Sequence, residues 1–232
     1  LEEYADFCAQ NHIVLLRQME KVSKQLEAGE AAQSIGAVPK WAAHWVMDGE
    51  TEKMLGQLAG ASKMELALQE GVVNLKGHAG TGKDVLVKML CHLSNRPYFA
   101  FDCTKWTTEY ELAEDVQLVA VDGVTTTVRV PSSVLLALQT PGAVLYFNEF
   151  NAMPEQSQIY LHALFDEKRT MTIKTRSGAS IKADPTVLFI SSMNPGYEGT
   201  YEPQLATKSR TIPIEVGYPA LMNPDGKTYS SS

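Results

Sequence analysis

Cysteine is scarce: Cys8, Cys91 and Cys103 are the only three in 232 residues. They are odd in number and widely spaced, and they form no CxxC or paired Cys/His pattern. That excludes a disulfide framework and a zinc site. What remains is free thiols, as expected in a reducing cytoplasm. Long apolar runs are also missing. Stretches such as Val187–Ile190 fall far short of the roughly 18 apolar residues of a membrane helix, so no membrane span is expected. Leu1-Glu2-Glu3-Tyr4 lacks the basic-then-apolar layout of a signal peptide. The chain starts without an initiator Met, which points to a fragment or a processed chain. There is no basic excess. A net charge of −7 argues against a general nucleic-acid coat, though it leaves room for a local basic patch.

What is present is an ordinary globular composition. Hydrophobic residues make up 44% of the chain and charged residues 20%, enough to build a core and too apolar for a disordered chain. The length suits one domain with an extension, or two small domains.

Residues 12–28 read as an amphipathic helix, with Ile13, Leu16, Met19, Val22 and Leu26 at three- and four-residue steps. Gly29–Pro39 reads as a linker. Trp41, Trp45 and Val46 suggest a short helix with an aromatic face, and a longer helical pattern runs over Thr51–Gln69. From Gly71 the rhythm changes. Apolar strands are predicted at Val72–Leu75, Tyr98–Cys103, Val144–Phe147, Thr186–Ser191 and Thr211–Val216, with helical patterns after the first and, at about Glu155–Asp166, after the third. Such alternation predicts a parallel α/β sheet. Two pairs of β-prone runs interrupt it. One flanks Asp122-Gly123 and the other flanks Ser177-Gly178, and both are hairpin signals. The second hairpin is basic, through Lys168, Arg169, Lys174, Arg176 and Lys182. It reads as solvated, or as a contact for an acidic client or nucleic acid.

The segment Gly77-His78-Ala79-Gly80-Thr81-Gly82-Lys83-Asp84 follows the first strand and opens a helix. Glycines let successive N–H groups turn towards phosphate oxygens. The helix adds its positive N-terminus, and Lys83 neutralises the terminal phosphates. The pattern is G-x-x-x-x-G-K with Asp84 where Ser or Thr usually stands. The third strand ends in Asn148-Glu149, where phosphoryl-transfer enzymes place a metal-holding acid. Glu149 is placed to polarise an attacking water. Asn194, at the end of the fourth strand, is placed to orient water or touch a terminal phosphate. His78 reads as an outward loop residue. His12, His44, His92 and His162 show no metal spacing.

Together these motifs resemble an AAA+ ATPase core of the MoxR-like clade over residues 71–219. Gly77–Lys83 resembles Walker A, and Val144–Pro154 resembles that clade's Walker B and its continuation. Asn194–Thr200 resembles its sensor 1 region, and Leu205–Arg210 resembles the helix that carries its arginine finger. The two hairpins resemble the clade's insert in helix 2 and its hairpin before sensor 1. The resemblance implies a central five-stranded parallel sheet flanked by helices, after a helical extension over residues 1–70. It implies ATP held by Gly77, His78, Ala79, Gly80, Thr81, Gly82, Lys83, Asp84 and Val85, with Mg²⁺ at Asp84 and Asn148. Glu149, Asn194 and Arg210 would be catalytic, Arg210 acting from a neighbouring subunit. A homo-oligomeric ring, six subunits in the family, would act on a protein client such as one with a von Willebrand A domain. The family's helical lid has no counterpart in residues 220–232. Asp84 and Asn148 depart from the usual pattern. Two readings follow: a transposed metal site with its charge on Asp84, or a degenerate site in a nucleotide-dependent binding or scaffold module that does not turn over ATP. A nucleic-acid motor is a third reading, disfavoured by the acidic balance.

Overall fold

The computed structural model describes residues 36–42, 45, 47, 49–121, 124–174, 178–196, 200, 201 and 205–218. The predicted helix over 12–28, the turn residues Asp122-Gly123, Arg176, Ser177 and the tail 220–232 lie outside the described residues. Helix α1 (Gly49–Leu68) leads into strand β1 (Val72–Lys76), helix α2 (Lys83–Ser94) and strand β2 (Tyr98–Asp102). Helix α3 (Glu109–Ala113) opens an antiparallel hairpin of β3 (Glu114–Val121) and β4 (Val124–Pro131). Helix α4 (Ser133–Leu138) precedes strand β5 (Val144–Asn148). Helices α5 (Glu155–Tyr160) and α6 (His162–Phe165) follow, then a second hairpin, β6 (Thr170–Ile173) and β7 (Ala179–Lys182). Strand β8 (Leu188–Met193), helix α7 (Leu205–Lys208) and strand β9 (Thr211–Glu215) complete the described chain.

The central sheet has five strands in the order β2-β5-β8-β1-β9, and every neighbouring pair is parallel. Parallel sheets are covered on both faces, so their strands read as unbroken apolar runs. Here all six residues of β8 are buried. Leu55 and Leu58 of α1 and Leu86, Val87 and Leu90 of α2 join Val73, Val144 and Ile190 in one core cluster. Phe147, Phe150, Phe165 and Phe189 form a chain of edge-to-face and tilted rings, 5.8–6.1 Å apart.

Local chemistry sets the element ends. Thr108 and Glu111 make a reciprocal capping box at α3. Ser132 caps α4 through the Leu135 N–H at 3.2 Å. Asn95, in the left-handed region at φ 52°, ends α2 by donating its N–H to the carbonyls of Cys91 and His92. At the outer edges of the sheet, Gly36 and Ala37 exchange backbone hydrogen bonds with Tyr98 at 3.1 Å each, and β9 carries Pro213 opposite Asn74 of β1.

Several predicted boundaries move. The fourth strand starts at Leu188 rather than Thr186, because the Thr186 N–H is tied to the Asp184 carboxylate at 2.8 Å in a turn. The predicted helix over 155–166 breaks at Leu161, which lets Leu161, Leu164 and Phe165 all point into the core. Residues 41, 42, 45 and 47 carry no helix. Trp45 closes a single turn onto the Ala42 carbonyl at 2.9 Å, its ring edge-on to Trp41 at 5.4 Å.

The basic hairpin is only partly solvated. Arg169, at its base, is 2% exposed and pairs with the fully buried Glu65 of α1 at 2.7 Å. Its second nitrogen donates to the Val187 carbonyl at 2.5 Å, and its guanidinium lies 4.4 Å over the Phe189 ring. Lys174 bonds Glu109 at 2.9 Å, joining the second hairpin to α3. Cys91 and Cys103 are free, buried thiols, and burial pushes the Cys91 thiol up to about 12. Among the described residues no helix is long and apolar enough to cross a membrane.

Candidate nucleotide-binding site

Strand β1 ends at Lys76, and the chain turns through Gly77–Gly82 into α2. Gly80 and Gly82 sit at φ +80° and +79°, a region that side chains resist, which lets the chain curl tightly between β1 and α2. Gly77 is needed for space. A Cβ there would stand 2.2 Å from the Val216 carbonyl oxygen, a backbone atom that cannot step aside. Gly77→Ala is therefore expected to destabilise the fold by about 1–3 kcal/mol. An unchanged urea midpoint would show that the end of β9 yields freely.

Lys83 is the first residue of α2 and is buried. Its ammonium donates to the carbonyls of Gly77 at 2.7 Å and His78 at 2.8 Å, and to Asn194 Oδ1 at 2.8 Å. With Thr81 Oγ1 as a fourth, longer contact at 3.4 Å, these acceptors more than fill its three N–H bonds. Burial pulls the Lys83 ammonium below its ordinary value, while the carboxylates of Glu149 and Asp84 oppose that shift.

Asn194 links the parts. Its amide nitrogen donates to Glu149 Oε1 at 3.1 Å while its oxygen accepts from Lys83. Asn151 clamps its backbone from both sides, donating to the Asn194 carbonyl at 3.0 Å and accepting the Asn194 N–H at 3.3 Å. Glu149 leaves β5 in the left-handed region, φ 53° and ψ 44°. A non-glycine residue there carries strain of about 1–3 kcal/mol. Two bonds hold it: its N–H to Ser192 Oγ at 3.1 Å and its carbonyl to the Ala152 N–H at 2.8 Å. The strained turn aims the carboxylate off the strand, towards Asn194 and the phosphate loop.

Asn148 sits beside Glu149. Its Oδ1 accepts from Ser192 Oγ at 3.1 Å and Tyr146 OH at 3.4 Å, and its amide nitrogen donates to Asp102 Oδ1 at 3.0 Å. Asp84 pairs with Lys88 one turn along α2 at 3.5 Å. These oxygen donors suit a hard cation such as Mg²⁺. Beyond β9, Tyr218 returns to the loop. Its hydroxyl donates to the Ala79 carbonyl at 3.1 Å, and its ring is parallel to His78 at 6.3 Å.

The structure thus brings Lys83, Glu149 and Asn194 together in one hydrogen-bonded chain. Arg210 lies elsewhere. Its carbonyl accepts the N–H of Val72, the first residue of β1, and its Nη1 donates to the Ala206 carbonyl at 2.8 Å. Val72 and Gly77 are separated by a strand length of about 16 Å, further than an arginine side chain reaches. Asp102, Asn151, Ser192 and Tyr218 are site residues that sequence reading did not single out. Asn151 alone had a local signal, its place two residues beyond Glu149.

Comparison with known proteins agrees with this geometry. The family model for the AAA domain, dynein-related subfamily, matches residues 72–211. An uncharacterized protein of Staphylococcus epidermidis is 32% identical over 145 residues, covering 62% of this chain and 54% of the relative. The denitrification regulatory protein NirQ of Stutzerimonas stutzeri is 26% identical over 155 residues, covering 66% of this chain and 54% of the relative. Protein NorQ of Paracoccus denitrificans is 28% identical over 150 residues, covering 63% and 53%. The chain spans about half the length of these curated relatives. A crystal structure of an ATPase candidate from Cytophaga hutchinsonii superposes with a TM-score of 0.50 at 17% identity, covering 76% of this chain and 52% of that one. With more than half its length matched and its phosphate loop, strand order and polar relay in place, the chain belongs to the dynein-related subfamily of AAA domains, in the MoxR-like group that its motifs resemble.

Proposed function

We propose that this protein binds and hydrolyses Mg²⁺-ATP and uses the cycle to remodel or activate a protein partner. The observation that carries the reading is the Lys83–Asn194–Glu149 relay. A phosphate that draws Lys83 away from Asn194 Oδ1 also disturbs the bond by which Asn194 holds Glu149. Occupancy of the loop is thereby felt at the carboxylate that would activate water. Asp84 and Asn148 would be the oxygen donors to the metal, which would neutralise charge on the phosphates.

The assembly is proposed to be a homo-oligomeric ring, six subunits by family resemblance, with Arg210 completing the site of the next subunit. The position of Arg210, beside the first residue of β1, supports a role outside its own site. The client is proposed to be a protein, one with a von Willebrand A domain being the family's example, and the site of action the cytoplasm.

Lys83→Ala tests the site. Loss of a charged hydrogen-bond donor is expected to weaken ATP binding about 10- to 100-fold, read by calorimetry, with far-UV dichroism confirming the fold. Unchanged affinity in a folded variant refutes the assignment. A second reading, nucleotide binding without turnover, is favoured by the amide at Asn148. Steady-state ATPase assays of the wild type and Glu149→Gln decide between them: equal background rates establish the binding module.

A further inference from the structure

Asn148 stands where a metal-holding carboxylate is expected, and the carboxylate its side chain touches is one strand outward. Asp102 is the last residue of β2 and is paired in register with Asn148, the last residue of β5. Strand order places β2 on one side of β5, and β8, then β1 with the phosphate loop, on the other. The side chain of Asn148 bridges that division. Towards β2 it donates its amide nitrogen to Asp102 Oδ1 at 3.0 Å; towards β8 its oxygen accepts from Ser192 Oγ at 3.1 Å, with Tyr146 OH a longer second donor at 3.4 Å that a cation would displace.

An ionised carboxylate only accepts hydrogen bonds, so Asp102 fixes which end of the amide faces it. The nitrogen must face outward to β2 and the oxygen inward to the phosphate-loop side. The opposite rotamer would turn N–H groups towards the cation and set the amide oxygen against the Asp102 oxygen. Asp102 also brings a negative charge to within one hydrogen bond of Asn148, and it is itself exposed. Asp84 is engaged with Lys88.

We propose that Asp102 is a positioning residue for the metal: it orients the Asn148 amide oxygen towards Mg²⁺ and supplies the negative charge that β5 lacks. The pair Asp102–Asn148 then does jointly what a single strand-end aspartate does elsewhere. Mg²⁺ keeps several waters when bound by proteins, so a carboxylate need not be a direct ligand to act on it. This inference rests on the Mg²⁺-nucleotide reading given above.

The test is nucleotide affinity measured by calorimetry in Mg²⁺ and again in EDTA, with Mn²⁺ paramagnetic resonance as a direct metal readout. The full chain is used throughout. In Asp102→Ala the Mg²⁺-dependent gain in ATP affinity, and Mn²⁺ affinity in the ternary complex, should fall about 10- to 100-fold, the usual cost of removing a partner that orients a metal ligand. Affinity in EDTA should change less than about twofold, since Lys83 and the loop hold the phosphates. Asp102→Asn keeps an acceptor but loses the charge, and should fall between the two. Adding Asn148→Asp to Asp102→Asn returns the carboxylate to β5 and should restore the metal gain. A metal gain retained in Asp102→Ala overturns the proposal. So does a loss confined to Asp84→Asn, which would place the charge on the phosphate-loop side. A wild type that binds ATP in neither condition overturns the nucleotide reading itself, and this inference with it.

Discussion

Arg210→Ala is expected to lower ATP turnover by about 10³-fold or more while leaving ATP affinity nearly unchanged. An arginine supplied across an interface stabilises charge that develops only in the transition state, and such fingers are worth roughly 10³–10⁵ in rate. The geometry makes the prediction specific. Arg210 is joined by its backbone to the first residue of β1, whereas the phosphate loop leaves the last. The Nε of Arg210 is buried without a hydrogen-bond partner, so its guanidinium is not fully engaged within its own chain. If it acts on a neighbour, subunits carrying Arg210→Ala and subunits carrying Glu149→Gln should complement. In a mixed ring some interfaces pair an intact Arg210 with an intact Glu149. Turnover above that of either variant alone is the expected result. No recovery at any mixing ratio, with assembly confirmed by light scattering, would make Arg210 a structural helix-end residue.

Arg169→Met is expected to cost about 3–5 kcal/mol at pH 8 and less at pH 5, because it leaves the buried Glu65 carboxyl without the partner that lets it carry a charge. The two groups are 2% and 0% exposed, and Glu65 Oε2 already lacks a hydrogen-bond partner. Burial pushes the Glu65 carboxyl up to about 7, against the pull of Arg169 and the more distant charge of Arg96. Between the ordinary value of 4.5 and about 7 the folded chain holds a proton that the unfolded chain has released. The contribution of this group is therefore fully present below 4.5 and is lost as pH rises through about 7. Urea denaturation at pH 5 and pH 8 should show the Arg169→Met penalty growing with pH. Glu65→Gln should remove this component of the pH slope. A slope identical to that of the wild type would mean that Glu65 is ionised throughout.

The central strands were legible because parallel strands buried on both faces need no polar alternation. Leu145-Tyr146-Phe147 and Leu188-Phe189-Ile190 announce themselves as apolar runs. The phosphate loop was legible because its chemistry is local: glycines and a lysine must fall within one turn of chain. Glu149 and Asn194 were legible from their places at strand ends, but the bonds between them were not. What stayed hidden depends on distant partners. Arg169 looked like one more basic residue of a solvated hairpin. Its partner Glu65 is 104 positions away, and nothing near either residue signals the pairing. Asp102 and Asn148 are 46 positions apart, and only the strand order makes them neighbours. The break at Leu161 was hidden for another reason. The 155–166 segment has helical periodicity, and the aromatic core on which Phe165 packs overrides it.

The sheet also ends in a way that bears on self-association. At one edge, Gly36 and Ala37 already occupy the outward N–H and carbonyl of Tyr98, and the Ser133 hydroxyl takes the carbonyl of Ala100 at 2.9 Å. At the other edge, Val72 donates to Arg210 and Val216 donates to Lys76, so the even-numbered positions of β9 face β1 and the odd-numbered ones face outward. Pro213 is one of those outward positions, and it has no N–H to give. A strand from another chain would therefore find one border taken and the other interrupted at its centre. Edge-to-edge pairing, the geometry from which cross-β aggregates grow, is opposed on both sides of this sheet.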